Sequence, residues 1–184
     1  MPVCRSLLDY WISLSVDGAL PRKADLQPRD IVKLLPNLFI LGKEAGGILR
    51  IRLLGTGLSE GRGEDLTGAE ALDLYPRSQR SMYADLFTAV LNLPCGCLLG
   101  RRNDSEQYRS IRFLSIILPM AGDNGETEFL VGATERLNRI PGFRPRDEEP
   151  LRGARVTRSR FIDLGWGLPD PPLTPFQVNP QDPD

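Results

Sequence analysis

Three groups of residues in this sequence have types and spacings that could do chemistry. Cys95 and Cys97 stand two apart in a β-prone stretch, so both sulfurs fall on one face, where they could hold a metal or form a redox pair. A tetrahedral site needs more ligands than these, and the 184 residues contain no histidine and one further cysteine, Cys4. Carboxylates or a second chain would have to complete it. Buried small hydrophobes are the stronger reading, and no metal and no cofactor are expected. The run Gly55-x-Gly57-x-x-x-Gly61 follows a strand, as a phosphate-binding loop would. Its last spacing is one residue longer than G-x-G-x-x-G, and no phosphate-loop lysine follows. These glycines are expected to serve turns with positive φ. Glu60 with Glu64 or Asp65 pairs carboxylates, but no apolar stretch beside them would raise a pKa for acid–base work.

The absence of histidine removes the usual general base, the Ser-His-Asp and Cys-His nucleophile systems, and His-ligated haem and zinc. No catalytic residue is assigned, and the chain is not expected to be an enzyme. Arg50 and Arg52 share one strand face and are the candidate anion contacts, a solvated or ion-paired face being the competing reading. A net charge of -1 and a pI near 5.6 give no field that would hold the chain on a polyanion, so no nucleic-acid partner is expected. No apolar run approaches the roughly 20 residues of a spanning helix, and no signal peptide opens the chain. With three badly spaced cysteines, this implies a cytoplasmic protein without membrane insertion.

Elements must position these residues. Ser6 can cap a helix running to about Asp17, where Gly18 ends it; Leu7, Leu8, Trp11 and Leu14 make its apolar stripe. Pro28 opens a short second helix to Leu34. Leu38 to Leu41 and Ile48 to Leu54 read as strands around the turn Ala45-Gly46-Gly47, with Leu49, Ile51 and Leu53 on the core face. Short helical turns over Leu66 to Leu74 precede a helix from Arg80 to Leu93, striped by Met82, Leu86, Phe87 and Val90. Cys95 to Arg101 and Tyr108 to Pro119 form a hairpin around Asn103 to Glu106, the second strand apolar on both faces and hence central. Gly122 to Gly125 turns into a last core strand, Phe129 to Ala133, and Arg155 to Leu164 is a further β-like stretch. The order predicts an α+β fold: a five-stranded antiparallel sheet with short helices on one face and an N-terminal amphipathic helix. Residues 1–19 are the helix, 20–139 the domain, 140–167 an extension, and 168–184 a Pro-rich tail without fixed structure.

Tyr10-Trp11, Pro21-Arg22-Lys23-Ala24-Asp25 with Pro28, Leu35-Pro36, Arg52-Leu53-Leu54-Gly55-Thr56, Leu66-Thr67-Gly68 and Leu118-Pro119 carry a likeness in their order and spacing. Over about Leu7 to Arg136 the chain resembles the PAS-domain family of alphaproteobacterial proteins formerly described as a domain of unknown function. The resemblance implies a PAS fold and a bacterial signalling or regulatory protein, and brings no catalytic residues with it. The helical Asn-Cys-Arg motif of flavin-photosensing relatives does not occur here.

The expectation is therefore a non-enzymatic sensory module acting through protein–protein contact, binding a partner or a small ligand between the helical layer and the core face of the sheet. Leu53, Tyr75, Tyr83, Phe87, Phe113 and Val131 are the candidate pocket lining. Leu7, Trp11 and Leu14 are the candidate interface: the stripe can cover the chain's own sheet, leaving a monomer, or cross to a second copy, the favoured homodimer, and an unidentified signalling protein would receive the output. A small α+β enzyme or carrier with a hydrophobic pocket is the alternative. It would need an ionisable group on the pocket side of a strand, where Leu49, Ile51, Leu53, Phe113 and Val131 stand instead.

Overall fold

In the computed structural model, residues 2–59, 65–104, 111–138 and 154–170 are described. Gly61, Glu60 with Glu64, the Ser105-Glu106 half of the expected turn, and most of the Pro-rich tail lie outside them. The described elements are helix α1 (Val3–Leu14), strands β1 (Leu38–Lys43) and β2 (Leu49–Leu54), the one-turn helix α2 (Thr56–Ser59), helix α3 (Arg80–Asn92), and strands β3 (Gly96–Asn103), β4 (Ile111–Ala121), β5 (Thr127–Arg136) and β6 (Arg155–Ile162). Pro28–Asp30 is a single 3-10 turn, not a helix to Leu34.

All neighbouring strands are antiparallel, in the order β2-β1-β5-β4-β3-β6. The sheet thus has six strands where five core strands were expected, because Arg155–Ile162 pairs along β3. Strand β4 lies inside it, with Ile117 buried on one face and Ile116 and Leu118 on the other. An 11-residue strand apolar on both sides has no solvent face to offer, which explains its place between β5 and β3.

Helix α1 covers one face. Its Cys4, Leu7 and Trp11 are buried against Leu38, Ile40, Leu118 and Val131, and the Trp11 indole N–H donates to the Pro119 carbonyl at 2.7 Å. The helix begins three residues before the expected cap: Ser6 lies inside it, bonded to the Pro2 carbonyl. The Glu135 carboxylate from β5 instead accepts from the first-turn amides of Val3 and Cys4 at 3.1 and 3.2 Å. A carboxylate there complements both the unpaired N–H groups and the positive end of the helix dipole. Helix α3 covers the other face through Tyr83, Leu86, Phe87 and Val90, while Met82 is only partly buried.

The Leu49, Ile51, Leu53 alternation does not persist to its end. Ile51 pairs with Leu41 and Leu53 with Ile40, so Arg52 is an extra residue in β2, a bulge that reverses the alternation beyond it. Leu53 turns to the α1 side, and Leu54 faces α3.

Candidate functional site

Between α3 and the sheet lies a cavity of about 40 Å³, small and mostly apolar in its walls. Phe39, Leu54, Leu99 and Ile117 form much of its floor and sides, and Leu58, Leu74, Tyr75 and Tyr83 come from the helical layer. Phe39 lies over Gly132, where a Cβ would stand 2.1 Å from its ring, so the glycine lets the ring reach the floor. Gly55 and Gly57 act similarly, and not through positive φ as expected: a Cβ at Gly55 would meet the Leu35 and Pro36 carbonyl oxygens at 2.2 and 2.5 Å. Their small size lets the α2 turn, with Leu58, pack on the Leu35–Asn37 turn.

One charged side chain enters this apolar space. On β3 the alternation Cys97, Leu99, Arg101 puts the arginine on the α3 face, where it is 7% exposed. Its Nη2 donates to the Ser115 hydroxyl at 2.6 Å and the Thr134 hydroxyl at 3.1 Å. Ser115 and Thr134 are register partners on β4 and β5, and their hydroxyls are 2.8 Å apart. Among the described residues no carboxylate pairs with Arg101. Neither its Nε nor the Tyr83 hydroxyl has, among the described residues, a hydrogen-bond partner of good geometry, although the two side chains lie close enough for Arg101 to oppose the Tyr83 pKa shift by hydrogen bonding as well as by charge.

The inventory of protons gives this site its chemical sense. Arg101 uses the oxygens of both hydroxyls as acceptors, and one hydroxyl donates to the other, so one hydroxyl proton is left over. That proton, the Arg101 Nε–H and the Tyr83 O–H are donors beside one positive charge, and the two Nη1 N–H groups of the same guanidinium add to them. Among the described residues no lining side chain carries a negative charge. An unpaired buried N–H costs about 1–3 kcal/mol, and more when the group is charged. Burial pushes the Tyr83 phenol above its usual pKa, and the Arg101 charge opposes that shift. Tyr83 is therefore a neutral hydroxyl at physiological pH, stacked on Tyr75 with ring centres 3.6 Å apart.

Of the residues expected to line a pocket, Tyr75 and Tyr83 border this cavity. Phe87 packs behind them, its ring centre 6.2 Å from Tyr75 and 5.9 Å from Tyr83. Three others are corrected. Leu53 is turned away by the β2 bulge, and Val131, aligned with Ile40 and Leu118, faces α1. Phe113 forms a separate cluster with Ile111 and Ala154 near the sheet end.

The expected interface is also corrected. Leu7 and Trp11 are buried in the chain's own sheet, Leu14 is half-buried beside them, and Trp166 closes edge-on against Trp11 at 6.4 Å. Arg50 and Arg52, offered as anion contacts, share the Glu44 carboxylate at 2.8 and 2.9 Å, so an internal anion already occupies them. Cys95 and Cys97 are buried; desolvation pushes their thiols up to about 11 and about 12, with the Asp163 charge adding to the first and Cys95 to the second. They are protonated apolar filling at neutral pH.

Arg101, Ser115 and Thr134 escaped the sequence reading because Arg101-Arg102 looks like the wet end of a strand. Two signals pointed to them: Arg101 keeps the face of Cys97 and Leu99, and Ser115 is a lone hydroxyl inside the apolar run Phe113 to Met120.

A family model described as a PAS domain matches residues 1–135. Among solved structures, a crystal structure of a Rhodobacter sphaeroides LOV protein is similar at 15% identity, covering 64% of this chain and 71% of that one, with a TM-score of 0.41. No curated protein matches.

Proposed function

This chain belongs to the PAS-domain family, and on that premise we propose that it is a non-enzymatic sensory and regulatory module that takes a small ligand between α3 and the sheet and passes the state on by protein contact. The observation that supports the ligand most is the buried Arg101, in a cavity where no described residue supplies a counter-charge. Nothing in the packing needs a guanidinium there, because an apolar side chain of similar length would fill the same space without the desolvation cost.

The described lining supports a binding role over a catalytic one: it offers donors and a fixed charge, and none of its described residues is a base to take a proton. A ligand that engages the Tyr83 hydroxyl would bear on α3 and on the Tyr75 stack, so occupancy would favour one packing of the helical layer over another. For output, the inner stripe of α1 is occupied by its own sheet, while Ile12 and Val16 are 54% and 67% exposed on and just beyond that helix. We assign contact with a second copy or a signalling protein to this outer side. Among the described residues no helix is long and apolar enough to cross a membrane. The three unpaired cysteines favour a cytoplasmic setting.

Native mass spectrometry of the purified chain tests the reading: a bound small molecule should be released on denaturation and be absent from Leu99→Trp, which fills the cavity. If no compound is carried by the wild type and the cavity-filled variant behaves identically in every ligand screen, the sensory pocket is wrong. Light scattering of the Ile12→Glu, Val16→Glu double variant tests the contact. It should reduce the oligomeric mass or the capture of the partner, and an unchanged assembly would move the surface elsewhere.

A further inference from the structure

We infer that the ligand of this cavity is a short-chain monocarboxylate, its carboxylate held by Arg101 and the hydroxyls of Tyr83 and the Ser115–Thr134 pair, and its hydrocarbon end against the leucines. The inference deepens the pocket reading above and rests on it.

Three observations select the class. The guanidinium N–H groups can only donate, and the Tyr83 and Ser115–Thr134 hydroxyls can donate as well, an array beside one cation that complements an oxyanion. A single positive charge in an apolar space balances a single negative charge. A phosphate dianion would leave its second charge uncompensated at low dielectric, so a carboxylate fits better. The size sets the chain length: about 40 Å³ corresponds to roughly three water positions, far below the roughly 300–1,000 Å³ of sites for drug-sized ligands. A head group and two to four carbons, with small displacements of Leu58 and Tyr75 at the partly exposed rim, are what this space admits.

Ser115 and Thr134 act here as positioning residues. They hold one terminal nitrogen of the guanidinium, which fixes its plane and leaves Nε without a partner of good geometry among the described residues. The arrangement resembles a counter-charge site with the counter-charge left to the ligand.

The test is calorimetric titration and thermal melting of the full chain with sodium acetate, propionate and butyrate, against propionamide, butyramide and sodium chloride at equal ionic strength. Propionate and butyrate should give saturable heats and raise the melting temperature; the amides and chloride should give neither. Arg101→Met should abolish the response. Tyr83→Phe, which removes one hydroxyl and keeps the ring, should weaken it roughly tenfold, the usual scale for a hydrogen bond to a charged group. Equal binding of amides and acids, a saturable response retained in Arg101→Met, or no saturable response to any of the three acids would each overturn the assignment. If the native protein instead releases a neutral compound that Leu99→Trp excludes, the cavity is a ligand site and only the carboxylate assignment falls.

Discussion

The two faces of the sheet are built to different standards. On the α1 face, Cys4, Leu7 and Trp11 are buried against aliphatic side chains, and the indole N–H meets a carbonyl. On the α3 face an arginine, two hydroxyls and a tyrosine are folded into an apolar layer, and two of their polar atoms lack partners. Residues of the same strands serve both: on β4, Ile116 and Leu118 look one way and Ser115 and Ile117 the other. Both faces bury an apolar cluster, and the α3 face alone also carries a built-in deficit of the kind that functional sites keep.

The largest effect should come from the α1 face. Trp11→Ala removes a 3%-exposed ring, its bond to Pro119 and its contact with Trp166, and should lower unfolding free energy by about 3–5 kcal/mol in urea melts. A loss under about 1 kcal/mol would mean that α1 is a loose cover and the contrast between the faces is false.

How much of this contrast is legible in the sequence depends on the range of the interactions. The α1 stripe, the α3 stripe and the doubly apolar β4 are local patterns of period 3.6 or 2, and they read correctly. What failed was non-local. The Glu135 cap lies more than a hundred residues from the amides it satisfies, so Ser6 looked like the cap. Arg52 bulges only because of its pairing with β1, and Leu53 was accordingly put on the wrong face. The buried role of Arg101 needs Ser115 and Thr134 from two other strands, and no window of one strand contains all three.

A second effect appears at alkaline pH. Burial raises the folded-state pKa of Cys95 to about 11 and of Cys97 to about 12, from 9.0. A raised folded pKa means that the native state holds its proton more tightly. The stability this gives is complete below about pH 9 and is lost as pH rises through 11 and 12. Thermal and urea melts should lose about 2 kcal/mol for each of the two thiols between pH 9 and 11, with the slope reduced in the Cys95→Ala, Cys97→Ala variant. Cys4, raised by burial and by the Glu135 charge, contributes from the α1 face, and Cys4→Ala separates the two shares. A flat profile over this range would show that the thiols are more solvated than their burial implies.

Smaller again is the tether between the faces and the helix end. Glu135→Ala leaves the Val3 and Cys4 amides to water and removes the charge facing the helix dipole, for a loss of about 1–2 kcal/mol. Hydrogen exchange should rise first in the opening turn of α1 and leave α3 unchanged. Equal acceleration in both helices would mean that the two faces unfold as one unit.

The smallest effect should also have the opposite sign. Arg101→Met removes a buried charge and an unpaired Nε–H, and puts a flexible apolar chain among Leu99, Leu74 and Ile117. Ser115 and Thr134 lose the guanidinium but keep each other at 2.8 Å, so the substitution strands less than it relieves. We expect a gain of about 1 kcal/mol or less in unfolding free energy without ligand, read as a higher urea midpoint at unchanged slope. The gain would vanish in a saturating carboxylate, because the wild type alone would be stabilised by it. A loss approaching that of Trp11→Ala would place Arg101 among the groups that hold the fold together, and the two faces would then differ in composition but not in purpose.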